Sequence, residues 1–398
     1  MSSQRAASSI PRIPAIDGLR GIAVLCVVLI HCLMSTRPTG PRTLDPIAVL
    51  ALYLPLAVDL FFVISGFLIT SILDRTRDAD HPLRTFYARR ALRIVPLYYG
   101  FLLFVVLFMR DLPERIVGSP GSMIWEFLFL TNFPVGLDAK SVGLLYPHFW
   151  TLAIEEQFYL FWPLVILLLP RRLNIRICLA LIGLSIVTRF ALSLTLSREA
   201  ALILTFARLD ALAAGSIIGL LHHRNPDVLR RYCKAAMPFA GFGFLAAQSA
   251  FILVYIWNVK AGIAFWATLM PFIATVFFAA TVAGLALRHE RGGGPQWLLN
   301  PVLTSTARYS YGMYAIHVPI IVLLFHYGLI ARRVPVAGLD LPYRIYFFIL
   351  IAGLSYGAGL VTWHLYEKHF LKLAPRYRYS RGTRSAATTI PIDAIPVP

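Results

Sequence analysis

The chain has 398 residues, 58% of them hydrophobic and only 14% charged, with a net charge of +18 and a mean hydropathy of +0.70. A soluble domain does not combine that apolar load with so few charges, so the composition points to a polytopic membrane protein, and no soluble stretch is long enough to form a second domain. The positive excess does not require nucleic acid, because Lys and Arg collect in cytoplasmic loops and attract anionic lipid headgroups.

Taken in chain order, residues 1–12 and 374–398 read as disordered cytoplasmic tails around a membrane domain at 13–373. Between them the apolar runs predict an all-α bundle of about ten spans, near 19–35, 50–73, 94–110, 148–170, 176–196, 205–222, 235–256, 261–287, 309–329 and 343–366. The first run has a basic flank like a signal peptide. No small-residue cleavage site follows it, so it reads as a retained helix. Residues 122–134 are apolar but short, as in a re-entrant or interfacial segment. Arginines cluster before span one and after spans two, four, six, eight and ten, which puts both termini in the cytoplasm. Arg332 and Arg333 break that pattern. No internal repeat is visible, so inverted transporter halves find no support. Cys26, Cys32, Cys178 and Cys233 lie in or beside apolar runs without metal-ligand spacing and read as small core residues.

Span one carries Asp17-Gly-Leu-Arg20-Gly and then His31. Eleven residues is close to a whole number of helical turns, so Arg20 and His31 share a face, roughly 16 Å apart along the axis. An ionisable group inside a membrane helix is costly and marks function by default. The plain readings are an anchoring arginine and a buried, hydrogen-bonded histidine. The sharper one makes His31 a general base in a dry site. Asp17 has a supporting role. Span two holds Asp59 and Ser65. Asp59 must face the interior, where pairing with a buried cation, His31 included, is its structural role; Ser65-Gly66 favours close helix packing.

Span three opens with Arg89-Arg90-Ala-Leu-Arg93. Arg90 and Arg93 are three apart and share a helix face. Guanidinium pairs match phosphate oxygens, so with Arg20 they outline a polyphosphate site; ordinary topogenic charge is the simpler reading of either alone. Span four begins His148-Phe-Trp150-Thr151-Leu-Ala-Ile-Glu155-Glu156-Gln157-Phe-Tyr159. The glutamates are either favoured by the helix dipole or orient an imidazole or sugar hydroxyl. Trp150 and Tyr159 are either interfacial belt residues or a sugar platform. Further on, Arg208 and Asp210 read as an internal ion pair, Tyr314 and His317 as a structural polar cluster on one face, and Glu367 as a partner of Arg90 or Arg93. No Gly-x-Ser-x-Gly elbow, Walker-type loop or His/Cys metal spacing is present, which argues against an ATP-driven pump.

The motifs in order resemble the acyltransferase-3 family: Asp-Gly-Leu-Arg-Gly with a histidine on the first helix, Asp-Leu-Phe-Phe-Val-Ile-Ser-Gly-Phe, Phe-Tyr-Ala-Arg-Arg-Ala-Leu-Arg-Ile, Phe-Trp-Thr-Leu-Ala-Ile-Glu-Glu-Gln-Phe-Tyr and a terminal Tyr-Glu-Lys, over about 13–373. The resemblance implies an integral-membrane O-acyltransferase. Such an enzyme takes an acyl group, usually acetyl, from cytoplasmic acyl-coenzyme A. It delivers it to a hydroxyl of an extracytoplasmic glycan, such as O-antigen or exopolysaccharide, at the bacterial inner membrane. The resemblance places the Arg/Lys-x10-His motif on Arg20 and His31, the Arg-x-x-Arg motif on Arg90 and Arg93, and the late glutamate on Glu367. Lys368-His369 departs from the basic-Pro that follows this glutamate in many members. The short stretch after the last span resembles the stand-alone form. The implied partners are acyl-CoA (acetyl-CoA as the donor), a glycan or lipid-linked saccharide acceptor and membrane lipid, with no metal and no nucleic acid. The catalytic candidates are then His31, as general base or as a transient carrier of the acyl group, with Glu155 or Asp59 to orient it. Arg20, Arg90 and Arg93 are the donor-binding ones, and Trp150, Tyr159 and Glu156 the acceptor-binding ones. Asp17, Ser65, His317 and Glu367 support them. The competing readings are a transporter or flippase of a lipid-linked sugar or acyl donor, and a structural subunit of an export complex.

Overall fold

The computed structural model describes residues 12–36, 56–137, 142–257, 259–331 and 341–380. The predicted tail 1–12 (Arg12 excepted), residues 381–398, and Arg332 and Arg333 lie outside them. Among the described residues there is no strand, and ten long helices fall on the ten apolar runs: α1 Pro14–Ser35, α2 Ala57–Arg75, α3 Pro82–Phe108, α4 Trp150–Leu168, α5 Arg171–Thr195, α6 Leu209–Arg224, α7 Pro226–Trp257, α8 Val259–Glu290, α9 Pro301–His326 and α10 Leu341–Thr362. Among the described residues eight stretches are long and apolar enough to cross a membrane; α6, at 16 residues, falls short of that length. Proline stands at the start of α1, α3 and α9, where its missing N–H costs nothing, and the Asn300 side chain caps α9 by accepting from Val302 N–H at 2.8 Å.

The outer helices are inside-out relative to a protein in water. On α5 the buried residues are Asn174, Cys178, Ser185 and Arg189, one helical face, while Val187 and Leu194 are 66% and 65% exposed. Polar groups inward and apolar groups outward is the arrangement a hydrocarbon surround selects. The innermost helix is α2, buried along almost its whole length. It meets α6 backbone to backbone. A Cβ on Gly66 would lie 2.0 Å from the Leu212 carbonyl oxygen, and one on Gly215 2.0 Å from that of Val63. Small residues that let helices approach this closely replace the hydrophobic effect as the source of association in lipid. A hydroxyl chain ties α4 to the pair: Trp162 Nε1 donates to Thr70 at 2.7 Å, and Thr70 donates to Ser216 at 2.8 Å.

The short segment between α3 and α4 is broken into turns, with Phe129 at φ 54. A closed side-chain ring holds it: Gln157 Nε2 donates to Asn132 Oδ1 at 2.9 Å, Asn132 Nδ2 donates to Thr205 at 2.9 Å, and Thr205 donates back to Gln157 Oε1. After α10 the chain makes a π-helical turn, Trp363–Glu367, and folds back. Residues 374–380, read from the sequence as the start of a tail, lie on the beginning of α3. Ser380 exchanges hydrogen bonds with Asp80, its Oγ donating at 2.7 Å and its carbonyl accepting at 2.9 Å, and Tyr379 is buried beside Arg89.

Candidate active site

A cavity of about 90 Å³ lies between α1, α2, α3, α4 and α9. Three arginines, Arg20, Arg90 and Arg93, and one glutamate, Glu155, supply the charge on its wall. Local sequence explains how Arg20 arrives there. Gly18 and Gly21 press α1 against the backbone of Leu298 and Leu303, where a Cβ would lie 2.1 and 2.3 Å from a carbonyl oxygen, and Arg20, on another side of the same turn, lines the cavity. Asp17 pairs with Arg12 at 2.6 Å. The guanidinium of Arg90 stands over the Tyr159 ring, 5.1 Å from its centroid, and that of Arg93 over the Trp363 ring at 5.5 Å. Trp363 opens the π-helical turn, and Glu367 closes it. Glu367 pairs with Arg93 at 3.7 Å, and both are buried. Of the two partners expected for Glu367, Arg93 is therefore the one it meets.

Above the cavity three imidazoles converge from three elements: His31 on α1, His148 in the turn Pro147–Phe149 before α4, and His317 on α9. Ring centroids are 4.9 Å apart for His31 and His317, 5.1 Å for His148 and His317, and 6.4 Å for His31 and His148. Their hydrogen bonds assign the tautomers of the neutral rings. His317 Nδ1 faces the carbonyls of Tyr314 at 2.8 Å and Met313 at 3.2 Å, so it carries the proton and its Nε2 is a lone pair. That lone pair lies 3.2 Å from His31 Nδ1, which is also 2.8 Å from the Val27 carbonyl. Both neighbours only accept, so His31 Nδ1 is protonated. His31 Nε2 is left as a lone pair with no hydrogen-bond partner among the described residues, the state from which an imidazole removes a proton. His148 Nε2 faces the Ala315 carbonyl at 3.3 Å, and its Nδ1 is buried without a partner among the described residues. Among the described residues no group of His, Cys, Asp and Glu is arranged to hold a metal ion.

Between cavity and imidazoles lie two hydroxyls. Tyr314 donates to the His148 carbonyl, so the 2.5 Å contact with Thr151 has Thr151 as donor. Both residues line the cavity, and the Tyr314 ring is 5.4 Å from His148 and 5.8 Å from His317.

Several expected placements are corrected. Asp59 does not meet His31; it lies 2.8 Å from Arg208, because α2 turns it toward the start of α6. Arg208 and Asp210 are not partners of each other: Asp210 pairs with Arg189 at 2.6 Å, both fully buried. Glu155 does not orient the imidazole; it accepts from Ser65 Oγ at 2.6 Å, so Ser65 is more than a packing residue. Tyr159 lies under Arg90 at the arginine end rather than on an outer platform, about two and a half turns from Trp150. Glu156, one residue beyond Glu155, is half-buried, and its buried Oε1 has no hydrogen-bond partner among the described residues. Trp150 is half-buried, edge-on to Phe62, with the Arg208 guanidinium 6.0 Å from its ring. His317, read as part of a structural cluster, touches His31 directly. Sequence reasoning gives no role to His148 or Arg189, though each is a polar residue set in or beside an apolar run, which is signal enough.

The profile of a family described as an acyltransferase domain matches residues 13–363. The chain belongs to the acyltransferase-3 family. The O-acetyltransferase OatA of Staphylococcus aureus is 29% identical over 342 residues, 79% of this chain and 51% of the relative. The peptidoglycan O-acetyltransferase OatA of Listeria monocytogenes is 35% identical over 164 residues, 39% of this chain and 24% of the relative. This acyltransferase-3 chain therefore aligns with about half the length, or less, of these relatives. No solved structure matches it.

Proposed function

We propose that the protein is a membrane O-acetyltransferase that moves an acetyl group from cytoplasmic acetyl-CoA to a hydroxyl of an extracytoplasmic glycan, at the bacterial inner membrane. The observation that carries this reading is the division of one helix cluster into an arginine-walled cavity and an imidazole cluster whose His31 Nε2 is a lone pair. Arg20, Arg90 and Arg93 hold the donor's diphosphate, for which guanidinium geometry is suited. The cavity as it stands takes only part of such a donor, so reaching His31 requires Tyr314 and Thr151 to part.

His31 Nε2 takes the proton from the acceptor hydroxyl as its oxygen attacks the thioester carbonyl. The carbon–oxygen bond forms, the carbon–sulfur bond breaks, and the proton held by His31 leaves with the coenzyme A thiolate. His317 Nε2, accepting from His31 Nδ1–H, stabilises the transient imidazolium and keeps Nε2 as the base. Glu155 and Ser65 act at the donor end, and Glu367 steadies Arg93. A glycan acceptor fits the names of the relatives, an O-acetyltransferase and a peptidoglycan O-acetyltransferase.

The test is thioester consumption by the purified protein in nanodiscs, with acetyl-CoA and with or without envelope glycan, comparing wild type with His31→Ala and Arg90→Ala. Glycan-dependent turnover lost in both variants supports the reading. No turnover by folded wild-type protein with any acyl-CoA and acceptor overturns it in favour of a transporter.

A further inference from the structure

Away from the cavity, α7 and α8 form an open groove of about 460 Å³ that shares no residue with the candidate active site. Its volume is within the range of small-ligand sites, roughly 300–1,000 Å³. Four cations line one end: Arg230 and Lys234, one turn apart on α7, and Arg288 and Arg291, beside the end of α8. Arg230 is held by Asp227 at 2.8 Å and Glu290 at 3.3 Å. Lys234, Arg288 and Arg291 have no ion pair among the described residues. Charges that serve only to orient a span have no need of a shared concavity, whereas these three face one.

The groove changes character along the helices. Met237 and Pro238 lie about two turns beyond Arg230 on α7, and Gly284 lies about two turns before Arg291 on α8. Gly284 keeps the floor open, because a Cβ there would lie 2.9 Å from the Met237 Cε. The site is therefore cationic at the mouth of the bilayer and apolar about 10 Å further in. A small soluble anion would use only the first half.

We propose that this groove binds an anionic phospholipid, with its phosphate between Lys234, Arg288 and Arg291 and an acyl chain along Met237 and Gly284. The shared chemistry is a phosphate group, and the apolar floor favours the lipid over free phosphate. Juxtamembrane Lys and Arg each add to the affinity for anionic lipid, so removing three lowers it roughly a hundredfold.

The full chain is reconstituted in nanodiscs of equal parts phosphatidylglycerol and phosphatidylethanolamine, released, and its retained lipid counted by native mass spectrometry. Wild type is expected to retain phosphatidylglycerol over phosphatidylethanolamine. The Lys234→Gln/Arg288→Gln/Arg291→Gln variant, checked for folding by thermal unfolding, is expected to lose that retention. Gly284→Leu keeps every charge and fills the floor, and is expected to lose it too. Equal retention of the two lipids by wild type, or undiminished retention by the triple variant, overturns the proposal. Displacement of the lipid by excess inorganic phosphate, with Gly284→Leu behaving as wild type, also overturns it and makes the site one for free phosphate.

Discussion

Two clusters of buried charge occupy this bundle, and they are built differently. In the first, on α2, α5 and α6, each guanidinium ends on a carboxylate from another helix: Arg208 on Asp59 at 2.8 Å, and Arg189 on Asp210 at 2.6 Å. Arg189 spends further N–H groups on the carbonyls of Ala207 at 2.6 Å and Thr268 at 3.2 Å. In the second, three arginines and one glutamate surround open space. The first cluster pairs its charges with one another and holds helices together. The second has a cationic wall and room beside it, which is what an anionic ligand needs. Ionisable residues within a membrane domain are thus not all of one kind; whether a cavity adjoins them separates the two.

The largest effect that sharpens this comparison is at the imidazoles. His31→Ala should lower the rate of acetyl transfer by about 10²–10⁴-fold with the fold intact. A rate within about tenfold of wild type would end the assignment of His31 as base. In the closed cluster the loss should be of stability instead. Asp210→Leu leaves Arg189 buried without its carboxylate and should cost about 3–5 kcal/mol. The Arg189→Met/Asp210→Leu double variant should regain most of it in thermal unfolding. At the cavity, Arg90→Gln should raise the donor KM by about ten- to a hundredfold with little change in kcat, the scale of one charged hydrogen bond. A kcat loss with unchanged KM would move Arg90 out of donor binding. Smaller again, His317→Leu should reduce kcat about tenfold, while His317→Gln, which still offers an acceptor to His31 Nδ1, should restore much of it.

The smallest effect lies outside the long helices. Burial pushes the Glu126 carboxyl up to about 7. Between 4.5 and about 7 the folded protein keeps that proton while the unfolded chain has lost it, so stability falls as pH rises through this window. Glu126→Gln should flatten that part of a thermal-unfolding profile measured across the same window; an unchanged slope would assign it to another group.

The helices were legible because apolar runs of this length have one solution in a bilayer. The shared face of Arg90 and Arg93 was legible because helical spacing alone fixes it. What failed was pairing between helices. Asp59 announces by its cost that it needs a partner, but nothing local says whether that is His31 or Arg208. Gly66 and Gly215 settle it by locking α2 to α6. Arg189 belongs to no motif, although its position inside an apolar run makes it conspicuous. The convergence of His31, His148 and His317 is hidden for a related reason: each element contributes a single ring, and only packing brings them together.

The contact between Thr151 and Tyr314 has a consequence for the cell as a whole. A water-filled passage joining the arginines to the imidazoles would let protons cross and drain the gradient that drives the cell's transport and ATP synthesis. Two hydroxyls, one bonded to the other and the second to the His148 carbonyl, stand between the arginines and the imidazoles. On the proposed function they are the groups that a donor reaching for His31 would part, and the donor's own arm would then fill the gap they leave.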